Sequence, residues 1–296
     1  MTGRSPSGVF DVAFIGRANI DLTAQVPRRA RPGRTTFAAS LTASPGGKSL
    51  NQAIAAALRE GRCCLIANVG ADSWGHQIAA ALACAGVDTR YVTLLPETTT
   101  GAAIIEVTPD GESYITLALS PATELTADDV RRALDALDAQ AVVVQLDLPP
   151  EPVAALLHRR PAPIIIGNLV PHPDLDKDLL QHLDVLVVNQ HEAAAILQTT
   201  NDDPLTAAAE LRQLGPRVVV VTAGAQGAVY ADSHGSGTVP APTVPVVDTT
   251  GAGDAFLGSL ALDLARHVPL PQAITTAVHV GSVAVQHAGP RFAANE

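Results

Sequence analysis

Apolar residues fall along this chain in short, β-branched runs separated by longer stretches rich in alanine and leucine. The runs at 9–16, 63–69, 141–146, 164–168, 185–189 and 218–222 read as strands. Several are continuously apolar rather than alternating, the pattern of strands covered on both faces. The stretches 49–59, 73–85, 126–139, 152–158 and 203–214 read as helices. Thr126 stands where it can cap the third of these, with Asp128 and Asp129 in the first turn, where the helix dipole favours acids. Strand–helix alternation of this kind predicts a parallel sheet sandwiched between helices. Two segments break the rhythm. Residues 22–44 carry Pro27, Pro32 and Gly33 and no convincing helix. Residues 100–119 read as a hairpin, AAIIEVT and SYITLAL joined through Pro109-Asp110-Gly111. Both are strand-like, so the expectation is one α/β domain spanning 1–296, with a small β-sheet lid built from insertions at about 22–44 and 100–119.

Composition narrows the function classes. The chain has 296 residues, 47% of them hydrophobic, with a net charge of −10, and only Lys48 and Lys177 among its basic residues are lysines. A protein that tracks nucleic acid or an anionic membrane needs a concentrated basic face, and none is visible. Aromatics at 3% are too few for a base-stacking platform. No apolar run approaches the ~18–20 residues of a membrane span, and the opening MTGRSPSGVFDVAFIG reads as a first strand rather than a secretion signal. Three cysteines, with Cys63 and Cys64 adjacent in a strand-like run, fit buried reduced thiols and a cytoplasmic protein. The nine histidines form no HExxH and no CxxC is present, so a structural zinc site has no support.

In an open parallel sheet, ligands gather beyond the carboxyl ends of the strands. The residues there are polar or glycine-rich: GRANID with Asn19 and Asp21, SPGGKSLNQ with Lys48 and Asn51, Asp147, Asn168, NQHE with Asn189 and Glu192, and TAGAQG. The sharpest segment is DTTGAGDAF. Gly251-Ala252-Gly253 can gather backbone N–H groups where a helix begins, which suits an anion. Asp254 in the same turn could accept a proton from an attacking hydroxyl, and phosphoryl transfer needs that combination. On spacing alone the segment also fits a plain glycine turn with an ordinary helix-start acid. GxxxxGK[ST] is absent, and Gly251, Gly253 and Gly258 do not satisfy GxGxxG. Asn, Asp and Lys beside a glycine pair suit sugar hydroxyls, which both donate and accept.

Taken together, PGGKSLNQAIAAALREG, NQHE, TAGAQG and DTTGAGDAFLGSLALDLA resemble the ordered signatures of the ribokinase-like (PfkB) carbohydrate kinase family over nearly the whole chain. The resemblance implies a three-layer α/β/α sandwich with a mostly parallel sheet and a β-sheet lid. It implies ATP-dependent transfer of the γ-phosphate to a primary hydroxyl of a pentose, with ribose O5 as the leading acceptor. Asp254 would be the base, with Gly251, Ala252 and Gly253 forming the anion hole. Asn19, Asp21, Gly46, Gly47, Lys48, Asn51 and Asp147 would hold the sugar. Asn189, Thr222, Gly224, Gln226 and Gly227, with Gly253, would contact ATP, and Glu192 would act through water on Mg²⁺. Asp248, Thr250, Ala284, His287 and Gly289 would surround a structural monovalent cation, usually K⁺. The lid would pair two subunits into a homodimer.

Three departures from the family pattern stand out. Ser49-Leu50 replaces Gly-Ala after GGK, Asp147 replaces a glutamate, and the chain ends at Glu296 where relatives continue with a PS turn and a terminal helix. Other acceptors stay open: a deoxypentose, a hexose, a nucleoside despite few aromatics, or a sugar phosphate, for which Arg17 is a candidate cation. A catalytically idle sugar or nucleotide sensor is the alternative from another class.

Overall fold

The structure is a computed structural model that describes residues 8–168, 176–200 and 203–287. Strands β1 (Phe10–Ile15), β4 (Cys63–Gly70), β5 (Val92–Leu95), β8 (Ala139–Gln145), β9 (Ile164–Asn168), β10 (Val185–Asn189) and β11 (Val218–Thr222) run parallel in one sheet. The hairpin β12 (Ala228–Asp232) and β13 (Gly235–Val239) adds two antiparallel strands at one edge. The order across the nine strands is β13-β12-β11-β10-β9-β8-β1-β4-β5.

Both faces of this sheet are covered, which is why its strands are continuously apolar. Leu186 and Val188 of β10 face one core with Val219 and Val221, while Val185 and Val187 face the other. The first core is closed by α3 (Ala127–Ala136), α4 (Pro150–Arg159), α5 (Gln190–Leu197) and α6 (Pro204–Arg212). The second is closed by α1 (Lys48–Leu58), α2 (Ser73–Cys84), α7 (Ala252–Ala265) and α8 (Leu270–Ala284). Thr126 does cap α3, in a reciprocal capping box with Asp129. That helix ends at Ala136, because Ala139 already belongs to β8, so the expected span of 126–139 was too long. Of the cysteines, Cys63 and Cys64 are buried as expected, whereas Cys84 is exposed. No helix among the described residues is long and apolar enough to cross a membrane.

A separate four-stranded sheet has the order β3-β2-β6-β7, from β2 (Asn19–Gln25), β3 (Ser40–Gly46), β6 (Ala102–Val107) and β7 (Ser113–Ala118). Both rhythm-breaking segments contribute to it, and they meet where β2 pairs in parallel with β6. Leu41, Ile104, Ile115 and Leu117 of this sheet are exposed.

The contact between α1 and α7 does most to position the site. Arg59, at the end of α1, donates to the Ser259 carbonyl and hydroxyl at 3.1 and 2.7 Å and pairs with the buried Asp263 at 3.0 Å. Gly258 lets the two backbones approach closely, since a Cβ there would lie 2.3 Å from the Gln52 carbonyl oxygen. Gly258→Ala therefore sets two effects against each other. Helix propensity favours alanine by up to ~1 kcal/mol, and overpacking against backbone costs ~1–3 kcal/mol. The clash should win, giving a net loss of about 1–2 kcal/mol in denaturant unfolding. An alanine variant more stable than the parent would contradict this packing.

Candidate active site

The register of the parallel strands lines their polar terminal residues along one edge. Gln145 of β8 stands opposite Asn168 of β9, and Asn189 of β10 opposite Thr222 of β11. Helices α1 and α7 begin at the same edge. Helix α1 starts after Gly47, whose φ of 102° is a conformation other residues rarely adopt, so the chain can turn from β3 directly into the helix carrying Lys48, Asn51 and Gln52. Helix α7 starts after Gly251, also left-handed, with no side chain capping it. Its first-turn N–H groups have no partner within the helix. One of them, Ala252 N–H, turns to the Thr249 carbonyl at 3.3 Å, while Gly251 and Gly253 line an open cleft.

Asp254 lies at the floor of that cleft. Its two oxygens accept from the side-chain amides of Asn51 (3.1 Å) and Gln52 (3.0 Å). Burial pushes its pKa up to about 6, against the opposing pull of Lys48 and the two amides, and the negative charge of Asp21 adds to the rise. Asn168 caps this arrangement from the sheet side. Its oxygen lies 3.4 Å from the Gln52 amide, and its own amide donates to the Val187 carbonyl. Gln52 is a site residue that sequence reasoning missed. Its position one residue after Asn51 in GGKSLNQ was the available signal.

Lys48, Asn168, Asn189, Glu192, Thr222 and Asp254 share the cleft. Asn189 caps α5, accepting from Glu192 N–H, while Glu192 accepts from Asn189 N–H, both at 2.9 Å. The other Glu192 oxygen lies 3.7 Å from the Lys48 ammonium, a loose pair on a half-exposed lysine. Burial raises the Glu192 pKa, Lys48 and the Asn189 N–H oppose the rise, and Asp147 contributes to it from across the site. Thr222 leads into the short 3-10 turn Gly224–Gln226, whose residues are exposed, followed by Gly227.

On the other side, Asn19 and Asp21 sit at the start of β2. The Asn19 amide donates to Asp21 at 2.7 Å, and Asn19 pairs with Gly46 across the small sheet. The Asp21 carboxylate occupies the space a side chain at Gly46 would need, and burial raises its pKa against the opposing Asn19 hydrogen bond. Ser49 and Leu50, the replacements for Gly-Ala, are fully buried: Leu50 packs into the core and Ser49 Oγ lies beside Gly16.

Arg17 corrects an expectation. It is not a free cation for an acceptor phosphate, because Glu124 takes its Nε and Nη2 at 2.7 and 2.8 Å and Asp147 takes its Nη1 at 2.8 Å. Glu124 itself had carried no signal in the sequence.

The segment holding Asp248 and Thr250 abuts the end of α8, where Val247 and Asp248 N–H groups donate to the Val285 carbonyl at 2.8 and 3.1 Å. Asp248 also accepts from Thr250 N–H. Ala284 is buried and His287 exposed nearby, whereas Gly289 lies outside the described residues. Among the described residues, no group of three or more His, Cys, Asp or Glu side chains could hold a metal ion by itself.

An uncapped helix start beside a half-buried carboxylate, flanked by polar side chains and a glycine-rich loop, is an arrangement suited to phosphoryl transfer. Comparison with known proteins agrees. The chain matches the pfkB family carbohydrate kinase model over residues 9–296 and belongs to that family. It is 31% identical over 281 residues to a ribokinase of Bacillus subtilis (strain 168), covering 93% of this chain and 92% of that one. A ribokinase structure from Thermotoga maritima superposes with a TM-score of 0.85 at 25% identity, covering 95% of this chain and 94% of that one. A structure of Arabidopsis thaliana ribokinase complexed with ribose and ATP gives 0.83, also at 25% identity and the same coverage.

The raised pKa of Asp254 has a stability consequence. A carboxylate whose folded pKa lies above its unfolded value destabilises the fold once ionised, between about pH 4 and 6 and above. Asp254→Asn should therefore raise the unfolding free energy at pH 7.5, by up to ~3 kcal/mol from a shift of this size. The gain should fade as the pH approaches 4. A variant less stable than the parent at pH 7.5 would contradict the burial cost assigned to this group.

Proposed function

We propose that the protein is an ATP-dependent pentose kinase whose acceptor is ribose, phosphorylated at O5. The observation that carries this reading is Asp254, a half-buried carboxylate held by Asn51 and Gln52 at the uncapped start of α7. The match to ribokinases over nearly all of both chains supports the choice of acceptor. The pairing of Arg17 with two carboxylates argues against a sugar phosphate.

In this reading the sugar lies between Asn19, Asp21, Gly46, Gly47, Lys48, Asn51 and Asp147, with its primary hydroxyl toward Asp254. Asp254 takes the hydroxyl proton as the oxygen attacks the γ-phosphorus. The bond from that phosphorus to the β-phosphate oxygen breaks, leaving ADP and the sugar phosphate. Backbone N–H groups of Gly251, Ala252 and Gly253 receive the charge of the group in flight, with the positive end of α7 behind them. The Ala252 N–H must release the Thr249 carbonyl to join them. ATP extends over Asn189 toward Thr222, Gly224, Gln226 and Gly227.

Glu192 offers one hard oxygen toward the cleft, which fits a Mg²⁺ that arrives on the nucleotide and keeps most of its waters. That ion would neutralise phosphate charge. Carbonyl and carboxylate oxygens near Asp248, Thr250, Ala284 and His287 would suit a monovalent cation that orders the loop before α7. The small sheet, bearing Asn19 and Asp21 on β2, acts as a lid that excludes water. Its exposed Leu41, Ile115 and Leu117 support pairing with a second copy as a homodimer. The free thiols of Cys63, Cys64 and Cys84 support a cytoplasmic setting.

Asp254→Asn tests the reading. Ribose-dependent ADP formation should fall by at least about a thousandfold, a loss in the range of removing an essential base. Calorimetric titration should still detect both ribose and ATP. Turnover within tenfold of the parent would remove Asp254 from the role of base.

A further inference from the structure

Three buried side-chain atoms among the described residues lack a hydrogen-bond partner: Ser49 Oγ, Gln52 Oε1 and Asp147 Oδ1. Ser49 Oγ lies beside Gly16 and Gln145, at the ends of β1 and β8, and Asp147 follows β8 two residues beyond its end. Buried polar atoms are nearly always paired, so each of these atoms has room to accept from a water or from a polar ligand. The least expected is Asp147 Oδ1, a charged oxygen whose twin is fully engaged.

Arg17 is the reason the two oxygens differ. Its backbone N–H donates to Gln145 Oε1 at 3.0 Å, anchoring it to the end of β8. Its guanidinium takes both oxygens of Glu124, takes Asp147 Oδ2 at 2.8 Å, and donates to the Asp147 carbonyl at 2.9 Å. Both Arg17 and Asp147 side chains are only about one-fifth exposed (18% and 20%). A planar guanidinium held on two carboxylates and a backbone oxygen has little freedom to rotate. It fixes the Asp147 carboxylate from one side and leaves Oδ1 alone to accept.

We infer that Arg17, braced by Glu124, is a positioning residue that aims Asp147 Oδ1 at an acceptor hydroxyl. This rests on the reading of the protein as a ribose kinase. It also accounts for an aspartate in place of the longer glutamate, because here the carboxylate is delivered by a fixed cation rather than by its own reach. The same bracing spends the Arg17 charge on two carboxylates, so this arrangement selects neutral hydroxyls.

Steady-state kinetics of the full chain test this, varying ribose at saturating ATP and then ATP at saturating ribose. Arg17→Gln should raise the KM for ribose about tenfold, the scale of one charge-assisted hydrogen bond, with the KM for ATP unchanged within about twofold. In an Asp147→Asn background the same substitution should add little, because its effect runs through Asp147. With 1-, 2- and 3-deoxyribose as acceptors, the Arg17→Gln penalty should vanish for the one analogue that lacks the hydroxyl held by Asp147. Arg17→Lys, which keeps a cation without the bidentate fork, covers the case in which Arg17→Gln does not fold, and should give an intermediate ribose KM. A ribose KM within twofold of the parent would overturn the proposal. So would equal rises in both KM values, or penalties that simply add in the double variant. No ribose turnover by the parent enzyme would instead remove the ribose reading and this proposal together, which separates the two failures.

Discussion

The site depends on one constraint: a half-buried carboxylate at the start of α7 must be held in place while it faces an open cleft. Asp254 meets it because two amides from α1 hold its oxygens. That clamp needs α1 and α7 in register, and their register comes from Gly258 against the Gln52 carbonyl and from Arg59 bridging to Ser259 and Asp263. The helix that carries Lys48, Asn51 and Gln52 and the helix that begins at Gly251 are therefore one rigid pair.

A net charge of −10 is compatible with handling a polyanion because the cleft does not rely on counted charges. Its donors are backbone N–H groups at a helix start, which carry partial positive charge that net charge omits. Lys48 is the one lysine at the site, and it stands half-exposed between Asp254 and Glu192 rather than locked to either. The arginine nearest the sugar side, Arg17, is neutralised. In the proposed arrangement acidic groups would surround the acceptor, while the nucleotide side would depend on the backbone.

Much of this was legible in the sequence because the sheet is covered on both faces. Strands β9, β10 and β11 begin and end at the expected residues, since each is a continuous apolar run closed by a polar one. The helix start at Gly251 with Asp254 in its first turn was legible for a similar reason: it lies in local spacing. The hairpin β12–β13 was not, because GSGTV carries no apolar pattern and its pairing is fixed by the neighbouring strand. Helix α5 was hidden behind a short run, its start set by the reciprocal cap of Asn189 and Glu192. The misreading of Arg17 has a different cause. Its partners lie 107 and 130 residues away, and only the meeting of β1, β8 and the segment before α3 reveals that its charge is already used.

We propose that this cleft moves phosphate from ATP to the primary hydroxyl of ribose. The most direct measurement is phosphorus NMR of the product formed by the purified protein from ATP and ribose, with hexoses and nucleosides as parallel acceptors. The account requires one new phosphomonoester on ribose O5, formed in step with ADP and well ahead of any product from the other acceptors. No ribose phosphate above background, or faster phosphorylation of a hexose or nucleoside, would contradict it.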